Sequence, residues 1–277
     1  MQDSEHRQLA AGVLPIVLSA GAVVMSYFQS STAVETKADA SPVTAADREA
    51  EELIAAGLAR LQPDIPVIGE EAASLGKLPK AASRFFLVDP LDGTRDFIAG
   101  RKEFTVNVAL VEDREPVFGV VYQPATSRFF TTITDHHALE ATVAPGSGID
   151  SLDALGGERI RTRSPDPDDL VVAVSHSHHT GALDDRLSQL GIRRRVSVGS
   201  SLKFCLVARG EADVYPRQIS ISEWDTAAGH AIVTAAGGAV LTLDGAPLTY
   251  GNADCGYRIA PFVAWGAPEL AAKYSFA

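Results

Sequence analysis

Apolar residues near the N terminus recur at helical spacing and predict two helices. The first covers about residues 5–28, which are rich in alanine, valine and leucine. The second begins near Thr44, because a hydroxyl there and the carboxylate of Asp47 suit the first turn of a helix. It extends to Leu61 and stops before Pro63.

Short apolar runs in the next part of the chain predict a sheet. Residues 85–88 are all apolar and are followed at once by Asp89 and Pro90, a pattern typical of a strand buried on both faces. Antiparallel strands are predicted at residues 104–111, 116–122 and 127–133. Residues 134–168 contain many Gly, Pro and Asp residues and are predicted to form a loop.

Strands and helices alternate in the remainder and predict a second lobe of α/β type. The predicted strands are residues 170–174, 194–198, 213–215 and 239–243, and the predicted helices are residues 182–190, 200–209 and 224–236. Because no flexible linker separates the two parts, we expect an N-terminal lobe at residues 1–135, a C-terminal lobe at residues 136–277 and a cleft between them.

Composition narrows the functional classes. The chain has 277 residues, of which 46% are hydrophobic, and a formal net charge of −11. This charge argues against a general affinity for nucleic acid or an anionic membrane, whose phosphates attract clusters of Lys and Arg. An anionic ligand would need cations beside it, so the charge favours a metal. Cys205 and Cys255 form no C-x-x-C pair, which argues against a zinc knuckle or a disulfide scaffold and fits a reducing cytoplasm.

The apolar stretch from Leu9 to Met25 is a candidate membrane segment. It is shorter than the roughly 20 residues that a membrane span needs. Pro15 and Gly21 interrupt it, and it lacks the basic n-region of a signal peptide. We therefore expect a buried first helix, no transmembrane segment and a cytoplasmic location, with peripheral contact at the inner membrane left open.

The most informative stretch is Val88-Asp89-Pro90-Leu91-Asp92-Gly93-Thr94. Two carboxylates at the end of a buried strand are costly without partners. Pro90 fixes the backbone between them and Gly93 permits a tight turn, so both carboxylates can converge on a point where Mg²⁺ would find oxygen ligands. In isolation, an Asp-Gly turn without any ligand is the ordinary alternative.

Three further acidic motifs favour the metal interpretation. Glu70 follows a short apolar strand, Asp47 lies in the first turn of the second predicted helix, and Asp225 begins an alanine-rich helix. Each has an ordinary explanation when taken alone, as a solvated turn or a capping charge. Together they predict a single pocket in which carboxylates bind metal.

The order of these motifs resembles the inositol monophosphatase superfamily of Mg²⁺-dependent phosphatases, over about residues 10–265. The motifs that carry the resemblance are Ala46-Asp47-Arg48, Gly69-Glu70-Glu71, Asp89-Pro90-Leu91-Asp92-Gly93-Thr94 and Trp224-Asp225-Thr226-Ala227-Ala228-Gly229. Within the superfamily the chain is most similar to CysQ-type 3'(2'),5'-bisphosphate nucleotidases, on residues 97–98, 103–107, 175–178 and 199–205. The resemblance implies an α+β fold, a layered α-β-α-β sandwich of the sugar-phosphatase type, with the active site between two lobes.

The resemblance also implies a role for each matching residue. Two or three Mg²⁺ ions would be bound by Glu70, Asp89, Asp92, Asp225 and the carbonyl of Leu91. The attacking water would be oriented and deprotonated by Asp47 and Thr94. The substrate would be held by Gly93, Thr94, Ser175, His178, Gly199, Lys203 and Asp225, and the choice among His176, His178 and His179 stays open.

Lys203 bears on the choice of substrate. A single lysine on a helix is usually a solvated surface residue. Lys203, however, stands four residues after Gly199, near the first turn of a predicted helix. Backbone amides and a positive charge at that place would suit a second phosphate, which favours a bisphosphorylated substrate.

Three functions are consistent with the motifs. The leading one is a 3'(2'),5'-bisphosphate nucleotidase that converts adenosine 3',5'-bisphosphate to AMP and phosphate. The second is a phosphatase of inositol phosphates or related sugar phosphates, and the third is a catalytically weak module that senses a nucleotide or a metal. The intact water-activating pair, Asp47 and Thr94, argues against the third. In each case the partner is a small phosphorylated metabolite, and a homodimer stays open.

Overall fold

The elements follow the apolar periodicity of the chain. The computed structural model describes residues 1–29, 45–77, 79, 82–176 and 181–276, together with the backbone of residues 34–36 and 42–44. Its α-helices are α1 (Asp3–Gln29), α2 (Ala45–Leu61), α3 (Glu70–Ser74), α4 (Thr94–Ile98), α5 (Leu152–Leu155), α6 (Gly181–Gln189), α7 (Leu202–Ala208) and α8 (Ala227–Ala235). Short 3₁₀ helices lie at Pro124–Thr126, Ala253–Cys255 and Pro268–Ala272.

The strands form two large sheets and two small ribbons. The strands are β1 (Val34–Thr36), β2 (Pro42–Thr44), β3 (Val67–Gly69), β4 (Arg84–Asp92), β5 (Thr105–Glu112), β6 (Glu115–Gln123), β7 (Arg128–Thr134), β8 (His137–Thr142), β9 (Glu158–Ile160), β10 (Val171–Val174), β11 (Arg194–Ser197), β12 (Val214–Arg217), β13 (Ile221–Ser222), β14 (Ala239–Thr242), β15 (Arg258–Ile259) and β16 (Phe262–Trp265). The seven-stranded sheet has the order β3-β4-β5-β6-β7-β8-β9, and the five-stranded sheet has the order β11-β10-β12-β16-β14.

Strand β4 shows why its sequence is apolar throughout. Phe85 and Leu87 point to one face of the seven-stranded sheet and belong to the hydrophobic core shared with α7 and α8. Phe86 and Val88 point to the other face and belong to the core shared with α1 and α2. Because both faces are covered, every side chain in this run is buried, as predicted.

The layers follow from these cores. Helices α1 and α2 cover one face of the seven-stranded sheet. Helices α7 and α8 lie between the two large sheets, and α6 covers the far side of the five-stranded sheet with Leu183 and Leu187. The predicted α-β-α-β sandwich is therefore confirmed, and α6 adds an outer helical layer to it.

Helix α1 is a core helix by its packing. By length and composition alone it could cross a membrane, with a mean hydropathy of 2.1 over its most apolar window, but 50% of that window is buried inside the protein. Val13, Leu14 and Val17 are completely buried against α2 and the seven-stranded sheet. The prediction of a buried first helix is confirmed.

The prediction of a loop over residues 134–168 is wrong. Strands β8 and β9 and the short helix α5 lie in this stretch, and both strands pair with the seven-stranded sheet. They lack a long apolar run because β9 is the edge strand and β8 lies next to it, where Glu140 of β8 forms an ion pair with Arg128 of β7 at 3.0 Å. The sheet of the N-terminal lobe therefore extends past the boundary predicted at residue 135. Strand β16 was also not predicted.

Gly119 in β6 generates a stability prediction. A Cβ atom at this position would lie 2.3 Å from the carbonyl oxygen of Ala228 in α8. We expect Gly119→Ala to push α8 away from the sheet and to lower the free energy of unfolding by about 1–3 kcal/mol, measured by urea denaturation.

Gly181→Ala is the control for that measurement, because a Cβ at Gly181 meets nothing within 4 Å. Its effect should stay within about 0.5 kcal/mol. Equal unfolding free energies for the two variants would contradict the close approach of β6 and α8.

Candidate active site

Asp89 and Asp92 lie at the C-terminal end of β4, where the chain turns out of the seven-stranded sheet. The pairing of β4 with β5 shifts register between Asp89 and Asp92. Gly93 then adopts a φ of 92°, which strongly favours glycine. A Cβ there would also lie 2.8 Å from the backbone oxygen of Glu103. The chain can therefore turn sharply and enter α4 at Thr94.

Local hydrogen bonds fix this turn. A carboxylate oxygen of Asp89 accepts from the backbone N–H of Leu91 at 3.0 Å. The hydroxyl of Thr94 donates to the backbone oxygen of Leu91 at 3.1 Å. Both backbone groups of Leu91, its N–H and its carbonyl, are thus held by hydrogen bonds. The metal-binding role of the carbonyl stays a prediction.

Three carboxylates from separate elements meet beside this turn. One oxygen each of Glu70, Asp89 and Asp225 lies within 4.8 Å of the others. Glu70 opens α3, Asp89 lies near the end of β4, and Asp225 precedes α8. We call these three residues the acidic cluster. The convergence predicted from the separated motifs is present.

The electrostatics of the acidic cluster show how strongly these groups repel one another. The pKa of Asp89 is raised well above its usual value, mainly by burial and then by repulsion from neighbouring carboxylates. These neighbours are Glu70, Asp92, Asp225 and Asp47. The pKa of Asp225 is raised in the same way, by burial and then by Asp92 and Glu70. A bound divalent cation would relieve this repulsion, and an all-oxygen ligand set suits Mg²⁺. The residues present therefore fit a metal.

Asp47 is close enough to the acidic cluster to act on Asp89. It lies in the first turn of α2 and is only 1% exposed. Its charge is one of those that raise the pKa of Asp89. The charge of the predicted base therefore reaches one predicted metal ligand, and its catalytic role stays a prediction.

Asp92 is held from the second lobe. The backbone N–H of Ser201 donates to its carboxylate at 2.5 Å. The Ser201 hydroxyl in turn lies 2.8 Å from the Asn107 side-chain oxygen and 2.8 Å from the Thr105 hydroxyl. Burial raises the pKa of Asp92 to about 6, against the opposing effects of Lys203 and the Ser201 amide.

Sequence reasoning assigned no role to this polar network. The available signal was the alternation of Thr105 and Asn107 with valines along β5, which puts two polar side chains on one face of a buried strand. Thr105, Asn107 and Ser201 are all buried, so their hydrogen bonds connect the two lobes without water.

Lys203 is an interior residue and not a solvated one. Its side chain is 4% exposed, and its ammonium group donates to the backbone oxygens of Ser200 and Val198. The same group lies 5.3 Å from the centre of the Tyr215 ring. Burial lowers the pKa of Lys203 to about 8, although Asp92 opposes the shift.

Glu103 connects the predicted substrate-binding segments. Its carboxylate accepts from the backbone N–H of Gly199 at 2.7 Å and contacts the ring of His176 at 2.9 Å. The other ring nitrogen of His176 lies 2.9 Å from the Ser197 hydroxyl. A Cβ at Gly199 would come within 2.5 Å of Asp96, so this position requires glycine. His178 and His179 lie outside the described residues.

Arg217 is a second cation that sequence reasoning missed. It ends β12 and lines a recess with Ser175, Tyr215, Leu183 and Ile219. Its Nε is buried without a hydrogen-bond partner among the residues that the structure describes. Burial dominates the pKa values of Asp92, Asp225 and Lys203, but the charge of Arg217 acts on all three. An arginine directly after an apolar strand was the signal for it.

Comparisons with known proteins agree with this geometry. A family model described as "Inositol monophosphatase family" matches residues 5–273. A curated relative from Salmonella typhimurium, a 3'(2'),5'-bisphosphate nucleotidase CysQ, is 42% identical over 241 residues, which cover 86% of this chain and 92% of the relative.

Two solved structures share the fold. The crystal structure of CysQ from Bacteroides thetaiotaomicron has a TM-score of 0.78 and 33% identity, covering 94% of this chain and 97% of that one. An inositol monophosphatase from Zymomonas mobilis has a TM-score of 0.73 and 28% identity, covering 95% of both chains.

The raised carboxylate pKa values predict how stability depends on metal and pH. A carboxylate whose pKa is higher in the folded state favours folding at low pH, and that contribution is lost as pH rises through the folded value. For Asp92 this contribution is lost between pH 3.8 and about pH 6. The pKa values of Asp89 and Asp225 are raised as well. We expect excess MgCl₂ to raise the melting temperature above that in EDTA much more at about pH 8 than at about pH 5.

Thermal melts followed by circular dichroism test this expectation. The variant Asp254→Asn, at an exposed position outside the acidic cluster, should show the wild-type difference at both pH values. A gain from MgCl₂ that is absent, or equal at both pH values, would contradict a metal role for these carboxylates.

Proposed function

The chain belongs to the inositol monophosphatase family, and on that premise we propose that it is a Mg²⁺-dependent phosphatase that converts adenosine 3',5'-bisphosphate to AMP and phosphate. The observation that carries the proposal is the acidic cluster, with oxygens of Glu70, Asp89 and Asp225 within 4.8 Å of one another. A cytoplasmic location is part of the same proposal.

The ligands of the ions come from both lobes. Glu70, Asp89, Asp92 and Asp225, with the carbonyl of Leu91, would hold two or three Mg²⁺ ions. Bound there, Mg²⁺ supplies Lewis acidity and neutralises charge on the phosphoryl oxygens. The protein's own task is to hold these mutually repelling carboxylates in place before the ions arrive.

Asp47 and Thr94 are the proposed residues for handling the attacking water. The hydroxyl hydrogen of Thr94 is directed to the backbone oxygen of Leu91, so the Thr94 oxygen is left to accept a hydrogen bond from water. Asp47, a buried carboxylate whose charge acts on Asp89, would take the proton. The backbone amides of Gly93 and Thr94 would contact the phosphate, because no side chain caps the start of α4.

The substrate-binding side of the cleft is proposed to be the end of the five-stranded sheet. Ser175 and Arg217 line one recess there with the apolar side chains of Leu183 and Ile219. A few polar groups among apolar ones suit a nucleoside. Arg217 and Lys203 add positive charge beside a negative centre, which favours a ligand with a second phosphate. Gly199 and His178 keep their predicted roles in this proposal.

Hydrolysis of an inositol phosphate or a related sugar phosphate is the second candidate. The observation in its favour is the fold shared with the Zymomonas mobilis enzyme at a TM-score of 0.73. The nucleotide is preferred because the Salmonella typhimurium relative named as a bisphosphate nucleotidase is more similar, at 42% identity. The positive charges of the buried Lys203 and the half-buried Arg217 also suit a second phosphate, which a monophosphorylated sugar lacks.

Phosphate release from adenosine 3',5'-bisphosphate and from inositol 1-phosphate, assayed side by side, tests the proposal. We expect kcat/KM to be at least about tenfold higher for the bisphosphate. Asp89→Asn should reduce kcat by at least about 10²-fold, because it removes a metal ligand. A preference for inositol 1-phosphate would overturn the nucleotide assignment, and near-normal activity of Asp89→Asn would overturn the metal role.

Lys203→Met separates two roles for this buried lysine, since methionine keeps much of the volume and loses the charge. If the ammonium group contacts a 5'-phosphate, KM should rise about 10- to 100-fold for the bisphosphate and little for adenosine 3'-phosphate. If it only holds the turn at Ser200, both KM values should change together. Lys102→Met, at an exposed position, is the matched control and should leave both unchanged.

A further inference from the structure

Glu51 makes an unusual set of contacts for a residue in the middle of a helix. It lies in α2, is 7% exposed, and its two carboxylate oxygens each accept one backbone amide. The N–H of Glu71 donates to one oxygen at 2.7 Å, and the N–H of Ala72 donates to the other at 2.7 Å. Both amides belong to the first turn of α3, so a side chain from another helix caps α3.

Gly69 shows how closely the two segments approach. A Cβ at Gly69 would lie 2.3–2.6 Å from the carboxylate atoms of Glu51. The backbone of Gly69 is extended, with φ −106° and ψ 155°, a conformation that any residue adopts. The glycine is therefore required for space and not for conformation.

The contacts surround Glu70 on both sides. Gly69 precedes it and packs on the carboxylate of Glu51, and Glu71 follows it and donates an amide to the same carboxylate. Glu70 thus projects from a backbone segment that Glu51 holds at both ends. Asp47 lies four residues before Glu51 in α2, on the same face of the helix. The same face of α2 therefore carries Asp47, the proposed base, and Glu51, whose contacts hold the backbone around the proposed metal ligand Glu70.

Only a carboxylate can make both bonds. A glutamine side chain has one acceptor oxygen and would turn its amino group toward the second backbone N–H. Burial, and to a smaller extent the like charges of Glu71 and Glu70, raise the pKa of the Glu51 carboxyl, while the two backbone amides oppose the shift.

We propose that Glu51 is a positioning residue that fixes the direction of Glu70 for metal binding. It acts through the backbone of residues 69–72 and touches neither ion nor substrate. The inference rests on the proposed function, because it takes Glu70 as a ligand of Mg²⁺. Outer contacts that orient metal ligands contribute about 10- to 100-fold to metal affinity in proteins, so the effect of Glu51 should be measurable.

The test measures Mn²⁺ binding to the full-length protein without substrate, by titration followed with electron paramagnetic resonance. We expect the dissociation constant to rise about 10- to 100-fold in Glu51→Ala and by less in Glu51→Gln, which keeps one acceptor. Glu52→Gln, at the adjacent exposed position, should bind as wild type does. In assays, the Mg²⁺ concentration for half-activation should rise in parallel, while KM for the substrate at saturating Mg²⁺ stays unchanged.

A double-mutant cycle with Gly69→Ala gives a second readout. In the wild-type background the new methyl group must displace the Glu51 carboxylate, so Mn²⁺ binding should weaken. In the Glu51→Ala background the space is free, and Gly69→Ala should have little further effect. If Glu51→Ala folds poorly, the single variant Gly69→Ala still tests the inference, because it displaces the Glu51 carboxylate and retains every charge of the protein.

The outcomes separate the inference from the proposed function. A wild-type protein that binds no Mn²⁺ would overturn the proposed metal chemistry. A wild-type protein that binds Mn²⁺, with Glu51 and Gly69 variants that bind it equally well while folded, would overturn only the positioning role. Additive effects of Gly69→Ala and Glu51→Ala would do the same, since the two residues would then act independently.

Discussion

Repulsion among carboxylates is the constraint on which the rest of the structure depends. Glu70, Asp89 and Asp225 place their oxygens within 4.8 Å of one another, and Asp92 and Asp47 add further negative charge to Asp89. Groups arranged in this way would move apart if the backbone allowed it. The fold prevents the movement by placing the carboxylates on four separate packed segments, of which β4 carries both Asp89 and Asp92.

The anchors are polar contacts to backbone amides. Glu51 binds the first turn of α3 beside Glu70, the amide of Leu91 binds Asp89, and the amide of Ser201 binds Asp92. Rigid amides are good partners for this purpose because they carry no side-chain entropy and cannot rotate away. Contacts of this kind fix the direction of charged groups, which is what catalysis by electrostatic preorganisation requires.

The parts of the molecule that were predicted from sequence are those in which one segment carries its own signal. The apolar run of β4 and the Asp-Pro-Leu-Asp-Gly-Thr turn are local, and the family resemblance that the acidic motifs carry implies the layered sandwich. Strands β8 and β9 escaped prediction because sheet pairing, and not their apolar content, makes them strands. Glu51, Ser201 and Arg217 escaped because their roles depend on contacts across long sequence distances, such as the separation of Ser201 and Asp92 by 109 positions. Spacing along the chain indicates residue types, but it does not indicate which distant amide a carboxylate meets.

The packing of α8 has a consequence for how this enzyme family could diversify. Although α8 lies late in the sequence, Gly119 brings it directly onto β6, so Asp225 is aligned with the same sheet as Glu70 and Asp89. The ends of β10 and β12, which carry Ser175 and Arg217, belong to the other sheet. Under the proposed function, changes at the ends of β10 and β12 would alter which leaving group is accepted without touching Glu70 or Asp89, whereas changes at Ser201 would also disturb Asp92. The hydrolysis reaction and the preference for a leaving group can then change separately in one protein.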